Sequence, residues 1–347
     1  MPAEAASANT TSTSIDDQRP LRVFIAGHQG MVGQALCRVF SATAGQPARY
    51  QLITAARSTL DLTRQADVEA FIRQQQPDWI LVAAARVGGI AANQQYPAEF
   101  ILQNMQIAAN LVAAAYQSGV SRLLYLGSSC IYPKFADQPI SETALLSGVL
   151  EPTNEAYAIA KIAGLKLCSS FHREYGADFR ALMPTNLYGP GDNFDLQQAH
   201  VIPALMRRMQ LAKDTQSPMQ IWGSGKALRE FLHVDDLAKA CRLVMELPAD
   251  VYWQACAETP GFLNVGSGEE ISIAALATLL RDIIGYPHAL IFDPDRPDGT
   301  PRKLVDSSRL RQLGWSPEIS FIAGLTQTWR WYQQHQQQLR GAANRGR

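Results

Sequence analysis

Short apolar runs alternate with helix-period segments through the first half of the chain. The apolar runs predict strands at residues 22–26, 52–56, 79–84, 123–126 and 180–183. The segments between them predict helices at residues 68–75, 98–118 and 157–175. Continuously apolar strands that are separated by helices are typical of a parallel sheet buried on both faces. The pattern therefore predicts an α/β protein with a doubly wound parallel sheet of the Rossmann type and right-handed crossovers.

The regular alternation of strands and helices ends after residue 190, where turn-rich segments are interleaved with shorter helices at residues 201–211 and 273–284. We predict a dinucleotide-binding domain over residues 21–190 and a smaller C-terminal substrate-binding lobe over residues 191–335. The chain is expected to return to the first domain around residues 231–247. Residues 1–20 are rich in Ala, Ser and Thr and predict a disordered tail. Residues 336–347 are expected to be the frayed end of a surface helix.

Composition and charge exclude several classes of protein. Lys and Arg total 31 and Asp and Glu total 31, so the net charge is zero. A chain with no net charge produces no general electrostatic field that would attract nucleic acid or an anionic membrane. No apolar stretch approaches the roughly 18 residues that indicate a membrane span, and the N-terminus lacks the apolar segment of a secretory signal. The cysteines are odd in number and form no CxxC pair, which predicts no disulfide framework, no metal site and a cytoplasmic location. They are Cys37, Cys130, Cys168, Cys241 and Cys256.

A glycine-rich turn, residues 27–33 (GHQGMVG), follows the first predicted strand and opens a helix. Gly27, Gly30 and Gly33 permit a tight turn, a close approach to a pyrophosphate and close helix–sheet packing. Met31 and Val32 would begin the helix whose N-terminus holds the phosphates. The alternative is three glycines that serve packing alone. The position after the first strand favours a dinucleotide site.

The end of the second strand distinguishes between the two nicotinamide cofactors. An acidic residue there would bind the ribose hydroxyls of NAD, but none occurs before Asp61. Arg57 can instead pair with a 2′-phosphate. We therefore predict NADP(H), although an ordinary solvated charge is an equally good interpretation of Arg57 taken alone.

A tyrosine and a lysine one helical turn apart, Tyr157 and Lys161, suggest carbonyl reduction. A tyrosine can give a proton to a carbonyl oxygen if its phenolate is stabilised, and the lysine is expected to lower the phenol pKa from about 10. Ser128, after the fourth strand, can donate to the same carbonyl. An amphipathic helix with a surface lysine, and a serine that caps a turn, are the alternatives. The order of glycine turn, serine, tyrosine and lysine favours the reductase.

Longer motifs extend this picture to a known family. The glycine turn and the YxxxK pair, with residues 186–190 (NLYGP), 229–236 (REFLHVDD) and 264–268 (NVGSG), resemble the extended short-chain dehydrogenase/reductases. Among these, the chain is similar to the GDP-L-fucose synthases from about residue 22 to the mid-330s. The segments that carry the similarity are residues 127–134 (GSSCIYPK), 151–155 (EPTNE), 183–190 (MPTNLYGP), 200–205 (HVIPAL) and 297–303 (PDGTPRK).

The resemblance implies a two-stage reaction at one site. GDP-4-keto-6-deoxy-D-mannose would be epimerised at C3 and C5 and then reduced at C4 with NADPH to GDP-L-fucose. It assigns the epimerisation to Cys130 and His200, and leaves Ser128, Tyr157 and Lys161 for the reduction. A thiol and an imidazole both titrate within about 2 pH units of neutrality, which suits proton exchange. Which of the two is acid or base at each carbon stays open; without the resemblance, a small buried thiol and a surface histidine would be the simpler interpretations.

The resemblance also implies binding residues and a homodimer. Further cofactor contacts are expected from Lys161, Pro184, Asn186, Leu187 and His200. Contacts to the GDP-sugar are expected from Asn186, Arg208, Trp222, Arg229 and Lys303. The two arginines would clamp the diphosphate and the tryptophan would stack near the guanine or ribose. A solvated helix face for Arg208 and simple packing for Trp222 are the alternatives.

One departure and three competing functions remain. Bacterial members of the family can carry an arginine at the position of Gln29, so discrimination against NAD can be weaker here.

A 4,6-dehydratase would need a carboxylate beside the serine, but no acid follows Ser128 before Asp137. A UDP-sugar 4-epimerase has no need of a thiol and an imidazole. A catalytically dead nucleotide-binding protein would not need Tyr157 and Lys161.

Overall fold

The computed structural model describes residues 19–42, 48–196, 198–296 and 300–343. The predicted N-terminal tail lies outside the described residues except for its last two positions. The strands are β1 (Leu21–Ala26), β2 (Tyr50–Ile53), β3 (Trp79–Val82), β4 (Arg122–Leu126), β5 (Phe179–Pro184), β6 (Asn186–Tyr188), β7 (Met219–Trp222), β8 (Leu228–His233), β9 (Leu263–Val265), β10 (Glu270–Ser272), β11 (Leu290–Asp293) and β12 (Arg302–Lys303). The helices are α1 (Met31–Ser41), α2 (Gln65–Gln75), α3 (Ile90–Gln95), α4 (Pro97–Gln117), α5 (Glu155–Tyr175), α6 (Val201–Asp214), α7 (Val234–Glu246), α8 (Ala249–Ala255), α9 (Ile273–Ile284), α10 (Ser308–Gln312) and α11 (Phe321–Ala343).

The centre of the fold is a six-stranded parallel sheet in the order β2-β1-β3-β4-β5-β9. Every residue of β3 and β5 is buried, which explains why these segments are continuously apolar rather than alternating. The strand order reverses between β1 and β3, and in open α/β sheets ligands bind at the carboxyl ends beside such a reversal. The predicted doubly wound Rossmann-type sheet is confirmed.

Helices cover both faces of this sheet. On one face α2, α4 and α5 contribute buried side chains that include Val68, Leu111 and Leu165. On the other face α1, α7 and α10 contribute a second cluster that includes Leu36, Leu237 and Leu310. Burying apolar area at about 25 cal/mol per Å² makes these two layers the main favourable term for folding.

The C-terminal part has its own small sheets and core. Strand β8 pairs with β6, β10 and β12, and β7 pairs with β11. Helices α6, α9 and α11 enclose a third apolar cluster that includes Met206, Leu276 and Leu325. The division into domains at residue 190 remains a prediction. The later part of the chain that packs on the parallel sheet includes more than residues 231–247. Strand β9 extends the parallel sheet, and Leu310 packs on it.

Several predicted boundaries differ from the observed ones by two or three residues. Strand β2 ends at Ile53, not at residue 56, because the chain turns away from the sheet to reach Arg57. Helix α11 extends to Ala343, and the frayed end expected over residues 336–347 stays a prediction. Residues 344–347, and residues 297–299 of the PDGTPRK motif, lie outside the described residues.

No helix in the described part of the chain combines the length and the apolar character that a membrane span requires. Within the same residues, no group of three or more His, Cys, Asp or Glu side chains is arranged to hold a metal ion.

Candidate active site

The glycine turn lies against the carboxyl end of β3, at the reversal in strand order. Gly27 has φ +88°, and a Cβ there would lie 2.6 Å from the backbone nitrogen of Ala84. A Cβ on Gly33 would lie 2.1 Å from the carbonyl oxygen of Gly27, so α1 can approach the turn only with glycine at this position. By contrast, a Cβ on Gly30 would have its nearest neighbour at 3.5 Å. The turn is therefore packed tightly on the protein side and open at the N-terminus of α1, which begins at Met31 and Val32.

Arg57 occupies the turn after β2, and its side chain is exposed. Because β2 pairs directly with β1, this turn and the glycine turn lie at the same edge of the sheet. An exposed guanidinium here is placed to meet a phosphate on the ribose of a dinucleotide. No carboxylate takes this position, since Asp61 follows one turn later and accepts hydrogen bonds from Thr63.

Ser128, Tyr157 and Lys161 meet at the carboxyl end of β4. Ser128 follows this strand and lies close enough to Tyr157 to lower the pKa of its phenol. The ammonium of Lys161 donates to the carbonyl oxygen of Leu126, the last residue of β4, at 2.8 Å. Lys161 is only 3% exposed, and its Nζ lies 5.9 Å from the centre of the Tyr157 ring. The predicted trio is therefore brought together by one strand end and one helix.

The pKa of Tyr157 is raised, whereas the Tyr157–Lys161 spacing predicted a lowered pKa. Burial is the largest influence and raises the pKa of Tyr157, and negative charge on Cys130 would raise it further, while the hydrogen bond with Ser128 acts in the opposite direction. Burial also lowers the pKa of Lys161 to about 8. Desolvation therefore outweighs the attraction between the two groups, because the ammonium is directed at a backbone carbonyl. The tyrosine is held in its protonated form, ready to donate.

Cys130 lies in the short 3₁₀ turn after Ser128, and its thiol contacts a residue from the far end of the chain. The Nζ of Lys303, on β12, lies 3.7 Å from the Cys130 sulphur. His200, immediately before α6, is solvent-accessible yet surrounded by protein, and this desolvation together with the positive charge of Lys303 lowers its pKa. Lys303 therefore links the predicted thiol and imidazole. Sequence reasoning placed Lys303 on the sugar–diphosphate path but did not predict its contact with the thiol.

Arg208 and Trp222 come together in the C-terminal part of the molecule. Trp222, at the end of β7, is 57% exposed. The guanidinium carbon of Arg208 lies 5.2 Å from the centre of its ring, and that of Arg296 lies at the same distance. Arg296 was not predicted, since nothing in its local sequence distinguishes it from a surface charge. Together the three side chains form an exposed cationic–aromatic surface.

The remaining predicted binding residues lie on strands β5, β6 and β8. Asn186 donates its side-chain N–H to the carbonyl oxygen of Glu230 at 2.9 Å and so ties β6 to β8. Arg229 is held on β8 beside Lys303 by the strand register. Pro184, which is buried, and the half-buried Leu187 border Asn186 at the end of β5 and in β6. These contacts fix the backbone between the sheet edge and the C-terminal part.

Two concave regions differ in their relation to this chemistry. A polar recess beside Cys130 and Lys303 has about 350 Å³ of unfilled space, open solvent at its mouth included. A larger pocket of about 1000 Å³ lies between β8 and residues 317–321. The larger pocket is lined by none of the predicted site residues, so size alone does not mark the site.

Comparison with known proteins identifies the family. Residues 23–254 match the family described as NAD dependent epimerase/dehydratase. The chain belongs to this family. Its relatives include a GDP-L-fucose synthase of Escherichia coli K12, which is 50% identical over 321 residues, with 92% of this chain and 99% of the relative covered. This similarity confirms the resemblance to the GDP-L-fucose synthases.

Solved structures agree with this placement. A GDP-6-OMe-4-keto-L-xylo-heptose reductase from Campylobacter jejuni aligns with a TM-score of 0.85 and 30% identity, over 92% of this chain and 99% of the other. A GDP-mannoheptose C4 reductase from the same organism, solved with NADP bound, aligns with a TM-score of 0.80 and 31% identity, over 92% of this chain and 100% of the other. Within the family, the fold is therefore shared with proteins that reduce GDP-linked sugars.

Proposed function

We propose that the chain catalyses the 3,5-epimerisation and the NADPH-dependent C4 reduction of GDP-4-keto-6-deoxy-D-mannose to GDP-L-fucose. The observation that carries the proposal is the cluster at the carboxyl end of β4, where Ser128 and Tyr157 lie beside Cys130 and Lys303 contacts its thiol. A phenol, a thiol and an ammonium around one space suit a substrate that is both enolised and reduced.

The cofactor is NADP(H), and the residues at the edge of the sheet fit it. The glycine turn excludes side chains where the pyrophosphate would pass, and the N-terminus of α1 favours its negative charge. Arg57 would pair with the 2′-phosphate, while Pro184, Asn186, Leu187 and His200 would border the nicotinamide half. When bound, NADPH supplies the hydride for the reduction.

In the reduction, Tyr157 gives its proton to the C4 oxygen while Ser128 donates a hydrogen bond to the same atom. The raised pKa of Tyr157 keeps this proton in place until negative charge develops on the oxygen. Lys161 would hold the nicotinamide ribose, and its bond to the Leu126 carbonyl fixes the position of its ammonium.

In the epimerisation, the C4 ketone acidifies the protons at C3 and C5, and one group removes a proton while the other returns one on the opposite face. Cys130 and His200 fill these two roles. Because its pKa is lowered, His200 is neutral near pH 7 and can accept a proton. Lys303, which lies beside the thiol, would stabilise negative charge that passes through this region.

The GDP half would be bound by the cationic–aromatic surface. Arg208 and Arg229 offer forked donors to the diphosphate, and Trp222 offers an exposed ring to the base or ribose. Asn186 and Lys303 line the path from the diphosphate to the sugar.

A coupled assay tests the proposal directly. The purified chain is mixed with GDP-4-keto-6-deoxy-D-mannose and either NADPH or NADH, and oxidation of the cofactor is followed. We expect rapid oxidation of NADPH, slower oxidation of NADH, and GDP-L-fucose as the product. Absence of NADPH oxidation would contradict the proposal.

The epimerisation roles have a separate test, which is uptake of solvent deuterium at C3 and C5 of the substrate. We expect Cys130→Ser and His200→Gln each to reduce this uptake about 100-fold or more. Cys37→Ser is the matched control, since Cys37 is also half-buried but lies on α1. Normal exchange in both site variants would refute the assignment.

We further propose that the chain is a cytoplasmic homodimer. Helices α4 and α5 carry exposed apolar side chains that include Leu102, Met105 and Ile159, at 58%, 42% and 41% exposure. A second copy would cover this surface. All five cysteines are free, as expected in a reducing compartment. Sedimentation of the wild type and of Leu102→Glu/Met105→Glu tests the assembly, and a wild type that sediments as a monomer would overturn it.

A further inference from the structure

The recess beside Cys130 is polar, and its walls contain groups to which the proposed reaction gives no task. Its lining includes Lys134, Glu151 and Asn154 together with Cys130, Arg302 and Lys303. Because Cys130 and Lys303 line the recess, the part of the substrate that meets the thiol also meets this recess. The recess is therefore part of the proposed sugar-binding site and not a separate depression on the surface.

Lys134 and Glu151 bound the recess as an ion pair, with Nζ and a carboxylate oxygen 3.0 Å apart. The ammonium is the main partner that lowers the pKa of Glu151, against the opposing effect of burial. The two charges thus form an ion pair, although the Oε2 atom of Glu151 makes no hydrogen bond among the described residues. This pair gives the recess its charge, and a neutral group in the recess can be recognised by a third residue.

Asn154 is that third residue. Its side-chain carbonyl oxygen is buried and has no hydrogen-bond partner among the described residues. Asn154 precedes α5, yet its side chain does not cap the helix, which is the usual structural use of asparagine at this position. A buried amide oxygen without a partner is costly and uncommon in folded proteins. A hydroxyl group of the substrate can satisfy this acceptor once the amide turns to face the recess.

The substrate has two chemically different edges on either side of its C4 ketone. One edge carries the hydroxyl groups at C2 and C3, and the other carries the ring oxygen and the C6 methyl group. A recess lined by an amide and by charged groups suits the hydroxyl edge, because hydroxyls satisfy buried polar groups and a methyl group does not. Asn154 is the residue immediately before α5, and Tyr157 lies three positions later in the first turn of this helix, so both residues belong to the same helix start.

We propose that Asn154 is a specificity-determining residue that accepts a hydrogen bond from the C2–C3 hydroxyl edge of the keto-sugar. This inference rests on the proposed function and deepens it, since it states how the site selects the sugar. A site built to hydrogen-bond a hydroxyl rejects an analogue that lacks it, because its own buried group is then left unpaired. The bond also holds the ring in register with the thiol and the phenol.

The test compares the parent substrate with its 2-deoxy and 3-deoxy analogues and uses NADPH oxidation to obtain kcat/KM. We expect the wild type to favour the parent over at least one analogue by about 10- to 100-fold. Asn154→Ala should lower kcat/KM for the parent by a similar factor and leave that for the disfavoured analogue nearly unchanged. Discrimination would then fall close to unity. Glu155→Gln is the matched control, because Glu155 is exposed at the same helix start.

Two outcomes would overturn the proposal while the proposed function stands. The first is a wild type that uses the parent and both deoxy analogues equally well, which needs no variant. The second is an Asn154→Ala enzyme that binds NADPH normally but still discriminates as the wild type does. If the wild type fails to oxidise NADPH with the parent substrate, the proposed function itself is wrong and this inference falls with it.

Discussion

The group around Tyr157 and the surface around Trp222 contrast in burial and in what burial does. Lys161 is 3% exposed, whereas Trp222 is 57% exposed. In the first group, desolvation moves the pKa of Lys161 down to about 8 and that of Tyr157 upward. At the second, two guanidiniums lie over one solvent-exposed ring. Proton transfer needs the first environment, and capture of an anionic nucleotide needs only the second.

This contrast indicates that substitutions in the two regions should have different effects on activity and stability. Loss of a buried group changes the chemical step and the stability of the fold, while loss of an exposed group changes binding and leaves the rest intact. This separation predicts which kinetic parameter each substitution alters.

The largest expected effect is on the chemical step. Tyr157→Phe should lower kcat about 1000-fold, because the phenol is the proton donor to the C4 oxygen, while NADPH affinity stays near that of the wild type. Single-turnover kinetics and cofactor titration measure the two quantities. Full turnover in the variant would remove Tyr157 from the mechanism.

The second prediction separates activity from stability. The pKa of Lys161 falls from 10.5 to about 8 on folding, so the unfolded chain binds more protons between these values and the wild type gains stability as pH rises through this window. Lys161→Met should therefore abolish activity, yet its free energy of unfolding below pH 8 should exceed that of the wild type. Removal of the buried charge contributes up to about 3 kcal/mol to this difference, and loss of the hydrogen bond to Leu126 subtracts about 1 kcal/mol.

This stability advantage should disappear as pH approaches 10.5, since the lysine of the wild type is then neutral in both states. Denaturant unfolding of the cofactor-free protein at several pH values measures it. An advantage that does not change with pH would contradict the assigned cause, which is burial of the charge.

A smaller effect is expected at the exposed surface. Arg208→Ala and Trp222→Ala should each raise KM for the GDP-sugar about 10-fold with kcat nearly unchanged, because they remove binding that is equal in ground and transition states. Arg281→Ala is the control for loss of a partly exposed arginine, since Arg281 pairs with Asp282 on α9. A fall in kcat with unchanged KM would show that the two regions are not separable.

The smallest effect concerns the choice of cofactor. Arg57→Ala should raise KM for NADPH about 10-fold or less and leave KM for NADH unchanged, since only NADPH carries a 2′-phosphate. Arg64→Ala, which removes an exposed arginine paired with Asp67, should change neither. Equal loss for both cofactors would mean that Arg57 serves a general role.

Much of the first half of the fold was predictable, because local pattern and tertiary environment agree there. The continuously apolar segments of β3 and β5 can be accommodated only by a sheet covered on both faces. The second half was harder to predict. Most of strands β6 to β12 are short and partly exposed. The buried strand β9 joins the parallel sheet at its edge beside β5, which no local pattern indicates.

The site shows the same division. Glycine spacing and the Tyr157–Lys161 pair are local, so their placement followed from the sequence. Asn154 and Arg296 were overlooked because their environment is made by residues distant in the chain. The pKa of Tyr157 is raised by burial and not lowered as predicted, since the spacing of two residues does not reveal how much water surrounds them.

The sequence by itself determined the residue types, the order of strands and helices, and the chemistry available to each side chain, because these depend on neighbours along the chain. Only the tertiary structure decided that Lys303 meets Cys130 across 173 positions and that burial sets the protonation of Lys161 and Tyr157. The physical reason is that desolvation and charge act through space, and the distances that govern them exist only once the chain has folded.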